Sequence, residues 1–129
     1  MIVADTNILV RIVTADDADQ TARAAQLFEQ QEVFIPLTVV LELDWVLRSR
    51  YRYSEINAVE AFVSLAGIPT VTVEHHDRVD RALHLTRKGM DFADALHLAA
   101  AEAHDGFVTF DRALARLAGR EGVRNVELL

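Results

Sequence analysis

The chain has 129 residues, 51% of them hydrophobic, a formal charge of −7 and no cysteine. That length fits one compact domain, expected over residues 1–129, with enough chain to bury a core of its own. The missing cysteines exclude disulfides, thiolate metal centres and cysteine nucleophiles, and the acidic balance argues against binding nucleic acid by a basic surface alone.

The N-terminal stretch "MIVADTNILVRIV" carries Asp5 and Arg11 and so lacks the unbroken apolar run of a signal peptide. No window approaches the ~18 to 20 apolar residues a membrane span needs, and a cytoplasmic location is expected. No Pro/Gly/Ser-rich linker, repeat or low-complexity tract divides the chain.

In chain order, "MIVA" is a short apolar run that stops at Asp5 and is predicted as a buried strand. "TNILVRIV" follows as a brief helix. A longer helix starts at about Ala18, with Ala22, Ala25 and Phe28 toward the core. "VFIP" is too short for a helix and closes on Pro36, which predicts a second strand. From Thr38, a predicted cap, to about Arg50, the set Val39, Val40, Leu43, Val46 and Leu47 follows helical spacing.

"SEINAVEAFVSLAG" opens on a Ser54 cap and stops at Gly67, and "TVTV" alternates as a strand. "HDRVDRALHLTRKG" is a helix with Gly89 as its stop, leading into another in "MDFADALHLA". "FVTF" is a fourth strand that ends at Asp111, "DRALARLAG" a helix, and "VRNVELL" a fifth strand. Helices alternating with short strands predict an α/β fold, a three-layer α/β/α sandwich around a short, mostly parallel central sheet.

In such folds function lies beyond the carboxyl ends of the strands, where Asp5 and Asp111 fall. If strands one and four are neighbours, these two acids converge; taken singly, each also reads as a helix N-cap. Glu42 and Asp44 flank the apolar face of their helix on opposite sides, and periodicity does not choose between them. Asp91 and Asp94 stand three positions apart at the start of an Ala/Leu-rich helix. One acid there has a capping duty; with Asp91 free to cap, Asp94 is left without one.

Carboxylates within ~4 to 6 Å raise one another's pKa and cannot all stay ionised without a cation or proton between them. With only oxygen ligands, Mg2+ or Mn2+ suits such a cluster. Removing Asp5, Glu42, Asp94 and Asp111 from the count takes the charge from −7 to −3, and bound divalent ions would turn a repulsive pocket into a phosphate receptor. The rest of the surface stays acidic, so weak intrinsic affinity for RNA is expected, aided by arginines and dimerisation. The cluster "RSRYR", with Arg48, Arg50 and Arg52, is expected to be a solvated helix end.

Four segments, "VADTNILVR", "LTVVLEL" with Glu42, "DFADALHLA" with Asp94 and "VTFDRAL" with Asp111, together resemble the PIN-domain ribonucleases, most closely the VapC-type toxins of bacterial toxin–antitoxin pairs. Each motif is weak alone; the ordered set spans essentially the whole chain. The resemblance implies a metal-dependent endoribonuclease in which Asp5, Glu42, Asp94 and Asp111 hold one or two Mg2+ or Mn2+ ions, and it favours Glu42 over Asp44. It places Asn7, Asp91 and Thr109 as supports to the acids. Hydrolysis would proceed by in-line attack of an activated water on phosphorus, leaving 5′-phosphate and 3′-hydroxyl ends. The implied partners are an RNA substrate, a cognate antitoxin protein and a second copy in a homodimer, with no membrane.

A catalytically silent PIN-like module that binds RNA or a protein is the alternative. A phosphoacceptor receiver domain would need a lysine at a late strand end, whereas the sole lysine, Lys88, ends a helix. A haloacid-dehalogenase-type phosphatase would need an acid two places after Asp5, where Asn7 stands. His97 is expected to pack and hydrogen-bond rather than bind zinc, and His75 and His76 to be solvated.

Overall fold

The computed structural model describes all residues from Met1 to Leu129. The chain forms two compact units, Met1–His76 and Asp77–Leu129. In the first, β1 (Ile2–Val3), α1 (Thr6–Thr14), α2 (Ala18–Gln30), β2 (Val33–Ile35), α3 (Leu37–Arg50), α4 (Glu55–Ala66) and β3 (Val71–Val73) follow one another. All three strands are parallel with β2 in the centre, Val3 opposite Phe34 and Ile35 opposite Val73. Parallel neighbours need long crossovers, and each here is a helical pair. Val33 and Ile35 are fully buried, as expected for a strand flanked on both edges.

The second unit holds α5 (His76–Arg87), α6 (Phe92–Ala100), a 3-10 turn at Ala101–Ala103, β4 (Phe107–Thr109), α7 (Arg112–Arg120) and β5 (Val126–Leu128). β4 and β5 are parallel neighbours, with Thr109 opposite Leu128. The architecture is thus mixed α/β with short parallel strands, as the sequence predicts. Its strands form two ladders, in which β1 pairs with β2 and β4 with β5; the pairing of strands one and four is not among them. No helix is long and apolar enough to cross a membrane.

Sequence signals account for most helix ends. Ser54 accepts a hydrogen bond from the Asn57 amide at 3.1 Å, the cap expected for α4. Gly89 adopts φ +106°, which an L side chain resists, and it stops α5 ahead of buried Met90. Gly106 is needed for space: a Cβ there would lie 2.9 Å from the Asn125 carbonyl oxygen, where β4 and β5 begin.

Three local expectations are corrected. On α2 the buried residues are Ala24 and Phe28, one turn apart, while Ala22 is exposed; alanine is too small to fix the phase of a face. α3 starts at Leu37, and Thr38 does not cap it. The free Leu37 amide instead donates to Glu74 Oε1 at 3.0 Å, an acceptor delivered from the end of β3. His97 is exposed rather than packed.

A polar knot ties the C-terminal end of α1 to its surroundings. Arg11 Nε donates to Gln20 Oε1 at 2.6 Å, and its Nη1 donates to Asp16 Oδ1 at 3.1 Å and to the Tyr51 hydroxyl at 3.3 Å. Tyr51, just beyond α3, donates in turn to Asp16 Oδ2 at 2.7 Å. Its hydrogen bond, with that from Thr14 and the Arg11 charge, holds the Asp16 carboxyl below the usual aspartate range.

Candidate active site

Asp5 follows directly on the last residue of the β1 ladder, where the Ala4 amide donates to the Phe34 carbonyl at 3.2 Å. It occupies the N-cap position of α1 in extended conformation, yet its side chain makes no capping hydrogen bond, and it is exposed. Asn7, in the first turn of α1, is exposed beside it in sequence.

On α3 the structure separates the two acids that periodicity leaves tied. Asp44 is only 8% exposed and bonds to Arg48, one turn on, with Arg48 Nη2 donating to Oδ2 at 2.8 Å. It belongs to the core-facing side with Val40, Leu43 and Leu47. Glu42 does not border the core; it stands on the outward side of the helix with Thr38, Trp45 and Ser49, all exposed. The physical reason is that Val39 and Val46 are only half-buried, which turns the buried face away from Glu42. Arg48 likewise departs from the solvated helix end expected of "RSRYR": it is half-buried between Asp44 and, at 3.7 Å, Glu55.

In the second unit Asp91 is the N-cap of α6, its Oδ2 accepting from the Asp94 amide at 3.3 Å. Asp111 caps α7, its Oδ1 accepting from the Leu114 amide at 3.0 Å, and its own amide donates to Thr109 Oγ1 at 2.9 Å. Asp91, Thr109 and Asp111 therefore have structural duties. Asp94 is half-buried, and burial pushes its carboxyl above the usual aspartate value. The negative charges of Asp91 and Asp111 push the same way, with His97 acting in the opposite sense. Asp94 thus feels the charges of both Asp91 and Asp111. In neither unit do three His, Asp or Glu side chains gather closely enough to hold a metal ion by themselves.

Trp45, three places after Glu42 on the same outward side of α3, is exposed and had no part in the sequence-based expectations.

The chain is thus a mixed α/β protein whose strands β1 and β4 each lead to an aspartate at the start of a helix. The PIN domain family model matches residues 2–120, and the chain belongs to that family. No curated protein matches it. Among solved structures it is similar to the Mycobacterium tuberculosis toxin VapC20, described as cleaving the sarcin–ricin loop. That likeness is at 21% identity and covers 90% of this chain and 94% of the other, with a TM-score of 0.44.

Proposed function

We propose that the protein is a divalent-metal-dependent endoribonuclease acting as the toxin of a toxin–antitoxin pair. Membership of the PIN family and the ordered set of four acidic motifs support this reading. The observation that carries it is Asp94, a half-buried carboxyl set against two other acids while its neighbours Asp91 and Asp111 take the capping duties. Such repulsion weakens a fold unless something positive offsets it.

The assigned ligands are Asp5, Glu42, Asp94 and Asp111, for one or two Mg2+ or Mn2+ ions. The donor chemistry fits: carboxylate oxygens suit hard cations, and the two acids of the first unit are exposed with no internal use for their side chains. When bound, the ions supply counter-charge to the phosphodiester and make a water acidic enough to attack it. Capping fixes the Asp111 carboxyl, and the Thr109 hydroxyl holds its backbone. Asp91 caps the turn from which Asp94 projects, and Asn7, two residues after Asp5, is assigned to orient Asp5 or the scissile strand. The expected products carry 5′-phosphate and 3′-hydroxyl ends. The proposed partners are RNA, a cognate antitoxin and a second copy of this chain, within the cytoplasm.

The test is cleavage of RNA with Mn2+, with Mn2+ plus chelator, and by Asp5→Asn. Cutting only in the first case supports the reading; cutting that survives chelator or the substitution overturns it. Growth arrest on expression, relieved by Asp94→Ala, tests the toxin role.

A further inference from the structure

Trp45 is the chain's single tryptophan and is 57% exposed. An indole is among the most costly side chains to leave in water, and this one lies away from the apolar face of α3 formed by Val40, Leu43 and Leu47. It shares the outward face with Glu42, one turn earlier, at the (i, i+3) spacing that makes helix residues neighbours. Ser49 Oγ donates to the Trp45 carbonyl at 2.6 Å, which satisfies the hydroxyl locally. The Arg50 guanidinium carbon stands 6.0 Å from the indole centroid, at the outer limit of cation–π contact. Arg50 and Arg52 are exposed, whereas Arg48 is engaged by Asp44.

We infer that Trp45 is a stacking platform for an unpaired base of the RNA substrate, with Arg50 meeting the adjoining phosphate. The inference rests on the proposed ribonuclease reading and deepens it by assigning a substrate-binding residue next to Glu42. An exposed aromatic ring with an exposed arginine over it combines a π-face with positive charge, the pairing that single-strand binders use, because every base offers a π-face. A second protein copy fits the face less well. A stable dimer buries roughly 800 Å2 per partner around an apolar centre, and here one ring stands among Thr38, Glu42 and Ser49. Placed one turn from Glu42, the platform would hold a nucleotide close to the cut and require it to be unpaired.

The experiment uses the whole chain, a fluorescein-labelled single-stranded RNA of mixed sequence, and the same strand in a duplex, with Ca2+ replacing the catalytic ions. Label anisotropy reports binding, and tryptophan emission reports Trp45 alone. Emission is expected to fall in step with anisotropy for the single strand and not for the duplex. Trp45→Ala should raise Kd about five-fold or more, in line with the loss of one stacked base, and Trp45→Phe should restore most of the affinity. Unchanged emission at saturating RNA, no binding at all, or wild-type Kd in the alanine variant overturns the assignment. If that variant also drops from dimer to monomer by light scattering with its Kd unchanged, the ring belongs to an interface between copies. Mn2+-dependent cleavage with a silent Trp45 defeats only this inference; quenching by RNA that is never cut defeats the nuclease reading.

Discussion

At the end of β1, Asp5 stands at a helix N-cap and gives its side chain no capping bond, whereas at the end of β4 Asp111 holds the first turn of α7. The same contrast recurs one level down. Glu42 lies open on the outward face of α3, while Asp91 secures the start of α6 and leaves Asp94 half-buried. The first unit thus keeps Asp5 and Glu42 free of structural work, although Asp44 and Asp16 are built into it, and the second unit uses Asp91 and Asp111 as helix caps. Losing Asp5 or Glu42 should therefore cost only function, and losing Asp111 both function and structure.

Charge-removing, near-isosteric changes give the largest expected effect. Asp5→Asn, Glu42→Gln and Asp94→Asn should each reduce Mn2+-dependent RNA cleavage about a thousand-fold or more, since metal ligands supply several kcal/mol of transition-state stabilisation. Gel-based initial rates check this. If any of the three cuts at near wild-type rate, the shared role of the four acids fails.

A sharper test sits within α3. Asp44→Ala should destabilise the protein by about 2 kcal/mol, less than for a fully buried pair because Arg48 is 30% exposed, and leave cleavage near normal. Glu42→Gln should do the reverse. Urea denaturation and cleavage measured on both variants would show whether burial has sorted the two acids correctly.

Smaller still is the capping difference. Asp111→Ala should cost about 1 kcal/mol of stability, and Asp111→Asn only a few tenths, because asparagine caps as well as aspartate. Asp5→Ala should be almost neutral, having no capping bond to lose. Equal losses at the two positions would erase the contrast between the units.

The smallest effect is a pH dependence. Asp94 binds its proton more tightly in the folded chain than in the unfolded one. Its contribution is thus fully present below the ordinary aspartate value and is lost as pH rises through the raised one. Thermal melts of metal-free protein should show this decline in mildly acidic solution, and Asp94→Asn or added Mn2+ should remove it. A decline that persists in the asparagine variant belongs to another group.

The strands and helices were legible in the sequence because each short apolar run is closed by an acid, proline or glycine, and caps such as Ser54 are local. The start of α3 was not, since its acceptor, Glu74, comes from 37 residues away. The inner face of α2 was obscured because its alanines fit either side. At the candidate site, the surplus charge at Asp94 was visible from spacing alone, since Asp91 does take the cap. The separation of exposed Glu42 from buried Asp44 was not, because it turns on which valines of α3 are buried, and only packing decides that.

The knot around Arg11 gives α1 the mechanics of a pinned rod. Nine residues of helix extend about 13 Å, with Asp5 at one tip and the guanidinium clamp near the other. Any tilt allowed at the clamp would be passed along the helix toward Asp5, whose proposed role depends on ångström-scale placement. Neutralising Asp16 in acid, or removing the Tyr51 hydroxyl, would then detune Asp5 from the far end of its own helix without touching it.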